Sequence, residues 1–178
     1  MISRLAGAVL LLISFAVPGY AEGWSQYGGD AGGQRHSDVA EITPANVGQL
    51  SRAWLYRTGD MVAHADDMKN SASEGTPVLV AGSLILCTPF NAVIALDPGT
   101  GGEKWRFDAK IATGYHPANQ FVCRGVASWT DEEAAPADAC ATRLFMGTAD
   151  SRLISLDAAT GLPCTGFGTN GEVRIDPG

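Results

Sequence analysis

The sequence predicts an all-β fold assembled from repeated four-stranded units, and three observations carry that reading. Residues 84–101 (LILCTPFNAVIALDPGTG) recur as residues 144–161 (LFMGTADSRLISLDAATG) at an offset of 60 with no gap. Leu84/Leu144, Thr88/Thr148, Ile94/Ile154, Leu96/Leu156, Asp97/Asp157, Thr100/Thr160 and Gly101/Gly161 are identical across the two copies. Each copy is an apolar run, a polar turn, a second apolar run and then Asp-x-x-Thr-Gly, the pattern of a β-hairpin followed by a tight turn into a further strand. Nowhere does a helical period persist for three turns. A repeat this short cannot bury both faces of its sheet alone and must stack on copies of itself.

The elements follow in order. Residues 1–21 read as a secretory signal peptide: Arg4, an apolar core from Leu5 to Val17, and Gly19 and Ala21 at the positions −3 and −1 to a cut before Glu22. That core is shorter than the roughly 20 apolar residues a membrane span requires. A retained anchor is the alternative, and with no cysteine before Cys87 a lipoprotein anchor at the cut is excluded. Residues 22–37 are Gly-rich and aperiodic, with Trp24 and Tyr27 expected to pack onto the body. Their spacing is not GxGxxG and no strand precedes them, so a phosphate loop is not indicated. Thr43 and Pro44 predict one helical turn ending at Gly48, with Thr43 as its cap. Ala53–Thr58 alternates as a strand, and residues 61–75 are polar and irregular.

A four-stranded meander is then predicted over Thr76–Val80, Leu84–Thr88, Ala92–Leu96 and Glu103–Phe107. In the last turn the Asp97 and Thr100 side chains are placed to bond backbone N–H groups, and a glycine can take positive φ. Residues 108–142 read as a long connection with an apolar island, Val122–Trp129, inside it. The second meander runs over Arg143–Leu156, the same turn, and Pro163–Ile175. Trp105 aligns with Thr165, so the second copy lacks the terminal aromatic unless Phe167 replaces it. The result is a partial β-propeller of about two blades plus an N-terminal strand segment. Since propellers close with about 4 to 8 blades, closure needs missing blades or self-assembly. The mid-turn ending at Ile175–Gly178 points to a piece of something longer.

Without residues 1–21 the chain has 157 residues, and 11 basic against 19 acidic side chains leave a net charge of −8. An acidic balance without a Lys/Arg cluster argues against nucleic acid and anionic membrane surfaces as partners. The four cysteines (Cys87, Cys123, Cys140 and Cys164) allow three connectivities in an exported chain. Cys123 with Cys140 is the expected pair because the two flank the Asp131–Asp138 loop; buried free thiols are the alternative. No CxxC or CxxCH occurs, so neither a thioredoxin-type motif, a zinc site nor covalent haem is indicated. His36, His64 and His116 lack metal-ligand spacing and are expected to be solvated or packed.

Several segments in fixed order carry a resemblance. They are Trp24-Ser25-Gln26-Tyr27-Gly28-Gly29-Asp30, Ile42-Thr43-Pro44-Ala45-Asn46-Val47 with Ala53-Trp54 and Thr58-Gly59-Asp60, Glu74-Gly75-Thr76-Pro77, and Cys87-Thr88-Pro89. The tryptophan-docking pattern spans Ala95 to Trp105, and the most specific block is Cys123-Arg124-Gly125-Val126-Ala127. Together they resemble the N-terminal part of the quinoprotein dehydrogenases dependent on pyrroloquinoline quinone (PQQ), and more narrowly their glucose/quinate/shikimate group of eight-bladed propellers.

The resemblance implies a periplasmic enzyme that oxidises an alcohol, sugar or polyol and passes electrons to a quinone or cytochrome. It implies a cofactor contact from Glu74 and another from Arg124, with Cys123 beside them as a third candidate near the quinone ring. A permanently charged planar donor suits a carboxylate-bearing ortho-quinone. Solvated-loop status is the alternative for Glu74, pairing with Asp131, Glu132 or Glu133 for Arg124, and a disulfide or buried thiol for Cys123. The family's calcium ligands and catalytic aspartate lie in later blades, so no catalytic or metal-binding residue is assigned, and residues 22–178 alone are expected to be inactive. A competing reading from another class is a cofactor-free envelope scaffold, because blade repeats report packing and not chemistry.

Overall fold

Alternating apolar residues build two four-stranded antiparallel sheets. The computed structural model describes residues 23–114, 117 and 119–175; the expected signal peptide and His116 lie outside these. The strands are β1 (Ser71–Ala72), β2 (Val78–Val80), β3 (Ser83–Cys87), β4 (Ala92–Leu96), β5 (Glu103–Asp108), β6 (Phe121–Val122), β7 (Ala127–Thr130), β8 (Thr142–Gly147), β9 (Arg152–Asp157) and β10 (Glu172–Arg174). The first sheet has the order β2-β3-β4-β5, the second β10-β9-β8-β7, and β1 with β6 forms a separate parallel pair. Among the described residues the longest α-helix is Asp60–Ala63.

The repeat predicted from the sequence folds twice in the same way. Asp97 Oδ1 accepts from the N–H groups of Gly99 and Thr100 at 3.1 and 2.8 Å and from the Thr100 hydroxyl at 2.9 Å. Asp157 Oδ1 does the same with Ala159 and Thr160 at 3.0 and 2.8 Å and with the Thr160 hydroxyl at 2.9 Å. In the preceding hairpins Asn91 and Ser151, 60 residues apart, both take the left-handed conformation, with φ of 58° and 65°. Val78, Ile85, Val93 and Ala95 of the first sheet share one buried cluster with Leu144, Met146, Ile154 and Leu156 of the second, and Trp105 and Phe107 pack against it. Each of the larger aliphatic side chains among these, withdrawn from water, contributes on the order of 2 kcal/mol. Polar bridges join the sheets at their rim: Ala149 N–H donates to Asn91 Oδ1 at 3.0 Å, and Arg152 Nη2 donates to Ala109 O at 2.7 Å.

The docking tryptophan works between copies, not within one. Trp105, on β5 of the first sheet, donates through Nε1 to Ala158 O in the second copy's turn at 3.3 Å. A Cβ on Gly161 would stand 2.4 Å from its ring. Trp54 does the same one step earlier, donating to Pro98 O at 3.1 Å over Gly101, where a Cβ would lie 2.5 Å from the ring. Each turn therefore receives the tryptophan of the element before it. The missing aromatic at Thr165 leaves the second turn filled, and Phe167 packs edge-on against Phe145 of its own sheet at 5.4 Å.

Several expectations are corrected. The disulfides are Cys87–Cys123 and Cys140–Cys164, not Cys123–Cys140, and among the described residues no cysteine is free. The reason is topological: β6 leads Cys123 to the end of β3, whereas the Asp131–Ala141 loop returns Cys140 to the turn region of the second sheet. Ala53–Thr58 joins no ladder, because Trp54 docks on a turn while Tyr56 bonds the Glu103 carboxylate and Arg106 donates to Thr58 O at 2.8 Å. The Val122–Trp129 island is not loop; it supplies β6 and β7, the latter the first strand of the second sheet. At the expected helical turn, Val47–Gln49 is 3₁₀ and Thr43 gives no side-chain cap; Asn46 instead accepts from Thr43 N–H at 2.7 Å and donates to Glu41 O at 2.7 Å. Trp24 packs against Gly29, but Tyr27 stays 56% exposed under the Arg35 guanidinium.

Candidate functional site

The three residues singled out from the sequence meet where the parallel pair ends. Ser71 pairs with Phe121 and Ala72 with Val122. Continuing that register for two residues sets Glu74 beside Arg124, and Thr76 N–H donates to Arg124 O at 3.3 Å just beyond. The side chains follow the backbone: Arg124 Nη2 lies 3.1 Å from Glu74 Oε2. Gln120, which the sequence reading passed over, completes the arrangement by donating from Nε2 to Glu74 Oε1 at 3.1 Å. Only its place immediately before β6 could have drawn attention to it.

Behind this pair sits the Cys87–Cys123 disulfide, with its two residues 6% and 5% exposed. Gly75 lies against it so closely that a Cβ would come within 3.1 Å of Cys123 O and 3.3 Å of Cys87 O. A larger residue there would have to push these carbonyls back by a few tenths of an ångström. The front is open: the Arg124 side chain is 75% exposed and that of Glu74 40%. An ion pair so exposed adds under about 1 kcal/mol to stability, and one carboxylate oxygen leaves most of the five guanidinium N–H donors available to a ligand.

The charged partner of Arg124 is Glu74, not the acidic group at Asp131, Glu132 and Glu133; Asp131 and Asp138 instead accept from Glu133 and Ala135 N–H in their own loop. His64 stacks on Phe90 at 3.9 Å, and exposed His36 pairs with Asp38 at 3.2 Å. A cavity of about 1070 Å³ lies elsewhere, between the 23–41 segment and the far ends of β2 and β7, where Trp24, Leu79, Val80 and Trp129 line it. Glu74, Cys123 and Arg124 are not among its walls, and their chemistry, not that cavity's size, marks the candidate site.

Similarity to known proteins runs over almost the whole chain. The family model described as "PQQ: Glucose/ethanol/alcohol dehydrogenase, beta-propeller domain" matches residues 24–178. Quinoprotein glucose dehydrogenase A of Acinetobacter calcoaceticus is 36% identical over 172 residues, covering 90% of this chain and 21% of that protein. The glycerol dehydrogenase large subunit of Gluconobacter oxydans is 37% identical over 155 residues, covering 87% and 21%. Among solved structures, quinohemoprotein alcohol dehydrogenase from Comamonas testosteroni superposes with a TM-score of 0.60 at 32% identity, over 79% of this chain and 18% of its own. The chain thus spans about a fifth of the length of the relatives it matches, and its two sheets are part of a propeller.

Proposed function

This chain belongs to the PQQ-type glucose/ethanol/alcohol dehydrogenase β-propeller family, and from that premise we propose that it supplies part of the cofactor wall of a periplasmic dehydrogenase. The substrate class is a small alcohol, sugar or polyol, and the electron acceptor a quinone or a cytochrome. Calcium and the proton-abstracting carboxylate would come from blades outside residues 22–178. Export through a cleaved leader at residues 1–21 accounts for the compartment.

The observation that carries the reading is the exposed Glu74–Arg124 pair seated on a buried disulfide. The donor set fits a quinone bearing carboxylates. Arg124 offers a planar, permanently charged fork for cofactor oxygens. PQQ, when bound, supplies a two-electron oxidant for the alcohol carbon. Positive charge held near its oxygens favours the more anionic reduced form. Glu74 orients that guanidinium and offers a carboxylate edge of its own, and Gln120 fixes the second carboxylate oxygen.

The test is PQQ titration of the cofactor-free full-length protein. Arg124→Ala is expected to raise the Kd at least tenfold, the loss of about one charged hydrogen bond. Arg124→Lys should recover only part of it, since an ammonium does not reproduce the fork. Unchanged affinity in Arg124→Ala would overturn the assignment.

A further inference from the structure

We propose that the Cys87–Cys123 disulfide is the positioning element that holds Arg124 and Glu74 in register for a ligand. The inference rests on the cofactor reading given above, and assigns to the disulfide a task other than ligand contact.

Both half-cystines are buried, so their sulfurs do not form the exposed surface that Arg124 and Glu74 present. What they do is mechanical. Cys123 immediately precedes Arg124, and the strand before it, Phe121–Val122, is two residues long with β1 as its sole neighbour in the sheet. Its backbone pairing consists of two ladder residues and the Thr76 N–H to Arg124 O hydrogen bond at 3.3 Å; buried Phe121 and Cys123 seat the segment on the core, and Arg124 projects outward beyond them. Both half-cystines belong to the common core, but Cys87 is also held in a four-stranded ladder: it closes β3 and pairs with fully buried Val93. The disulfide therefore transfers the rigidity of that sheet to the residue next to Arg124. Gly75, pressed against the carbonyls of both half-cystines, transfers it to Glu74. The second disulfide has no such role. Cys140 and Cys164 bond Asp157, Arg143 and Ser155 within the second sheet.

That contrast provides the control. In the full-length protein, Cys87→Ala/Cys123→Ala and Cys140→Ala/Cys164→Ala are compared with Arg124→Ala for PQQ affinity, by fluorescence titration, and for urea midpoint, by circular dichroism. Both double variants are expected to lower the midpoint. Only the first is expected to raise the Kd, by tenfold or more, and adding Arg124→Ala to it should change the Kd less than twofold further. Should the first pair not fold, Gly75→Ala, with both disulfides intact, displaces Glu74 from the same seat and is expected to raise the Kd several-fold with a near-native midpoint. The proposal is overturned if Arg124→Ala weakens binding while the Cys87/Cys123 variant, or Gly75→Ala in its place, binds within twofold of wild type. It is equally overturned if the Cys140/Cys164 variant weakens binding as much as the first pair. If Arg124→Ala itself leaves binding unchanged, the cofactor reading is what has failed.

Discussion

Gly161→Ala is the sharpest test of docking between successive copies. Two costs add at this position. The residue sits at φ 72°, where an L side chain costs roughly 1–2 kcal/mol. Its new methyl would lie 2.4 and 2.7 Å from the Trp105 ring, an overpacking worth about 1–3 kcal/mol. The substitution should destabilise by roughly 2–5 kcal/mol. Gly82 separates the terms: its φ is 67°, but nothing lies within 4 Å of a Cβ there, so Gly82→Ala should cost only the backbone part, about 1–2 kcal/mol. A double-mutant cycle isolates the contact. In a Trp105→Ala background the collision disappears, so Gly161→Ala should fall to the Gly82→Ala cost, with a coupling of about 1–3 kcal/mol. The assay is urea unfolding of the protein followed by circular dichroism, because removing Trp105 alters fluorescence. Equal costs for Gly161→Ala and Gly82→Ala, or additivity with Trp105→Ala, would refute inter-copy docking as a determinant of the fold.

Three further predictions concern the same frame. The Asp157 carboxyl is desolvated by burial, which raises its pKa, but N–H groups from Cys140, Thr160 and Ala159 and the Thr160 hydroxyl outweigh this and hold it below the usual aspartate range; Asp97 is likewise lowered, chiefly by the Thr100 N–H and hydroxyl. Their stabilisation is present above the unfolded pKa near 4 and is lost as pH falls through the lower folded values, so Asp157→Asn should flatten the acid limb of a stability-versus-pH curve; an unchanged limb counts against it. Arg152, 16% exposed, bonds Asp150 at 2.8 Å, Glu172 at 3.0 Å and the Ala109 carbonyl across the sheets; Arg152→Ala should cost roughly 2–3 kcal/mol in urea unfolding, with Arg152→Lys recovering less than half. Residues 22–178 expressed alone should show no substrate-dependent dye reduction with PQQ and calcium added, and turnover in that assay would contradict the assignment of catalysis to other blades.

What the sequence disclosed and what it hid divide along one physical line. Hairpins and Asp-x-x-Thr-Gly turns are local: each partner lies within a few residues, so alternation and turn chemistry place β3, β4, β8 and β9 and both turns within a residue or two. The elements misread are those whose partners are distant. β7 looks like an island in a loop because Asp131–Ala141 separates it from β8. This insertion also sets β2 and β7 about 50 residues apart while the hairpins keep their offset of 60. Ala53–Thr58 alternates convincingly, yet alternation does not say whether a neighbouring strand exists, and Trp54 serves a turn instead. Cysteine pairing failed for the same reason: flanking a loop is a local argument, while Cys123 is brought to Cys87 by a parallel pair that closes over some 50 residues.

The candidate site shows how the two kinds of information combine. Glu74 and Arg124 are visible in the sequence only as members of separate motifs, 50 positions apart. Two paired residues, Ser71 with Phe121 and Ala72 with Val122, convert that separation into adjacency, because a parallel register carried forward must bring residue 74 to residue 124. A one-residue slip in this short ladder would turn either side chain to the opposite face. The register that makes the site is therefore specified by very little backbone pairing, and the covalent link from Cys123 to the first sheet is the strongest restraint beside it.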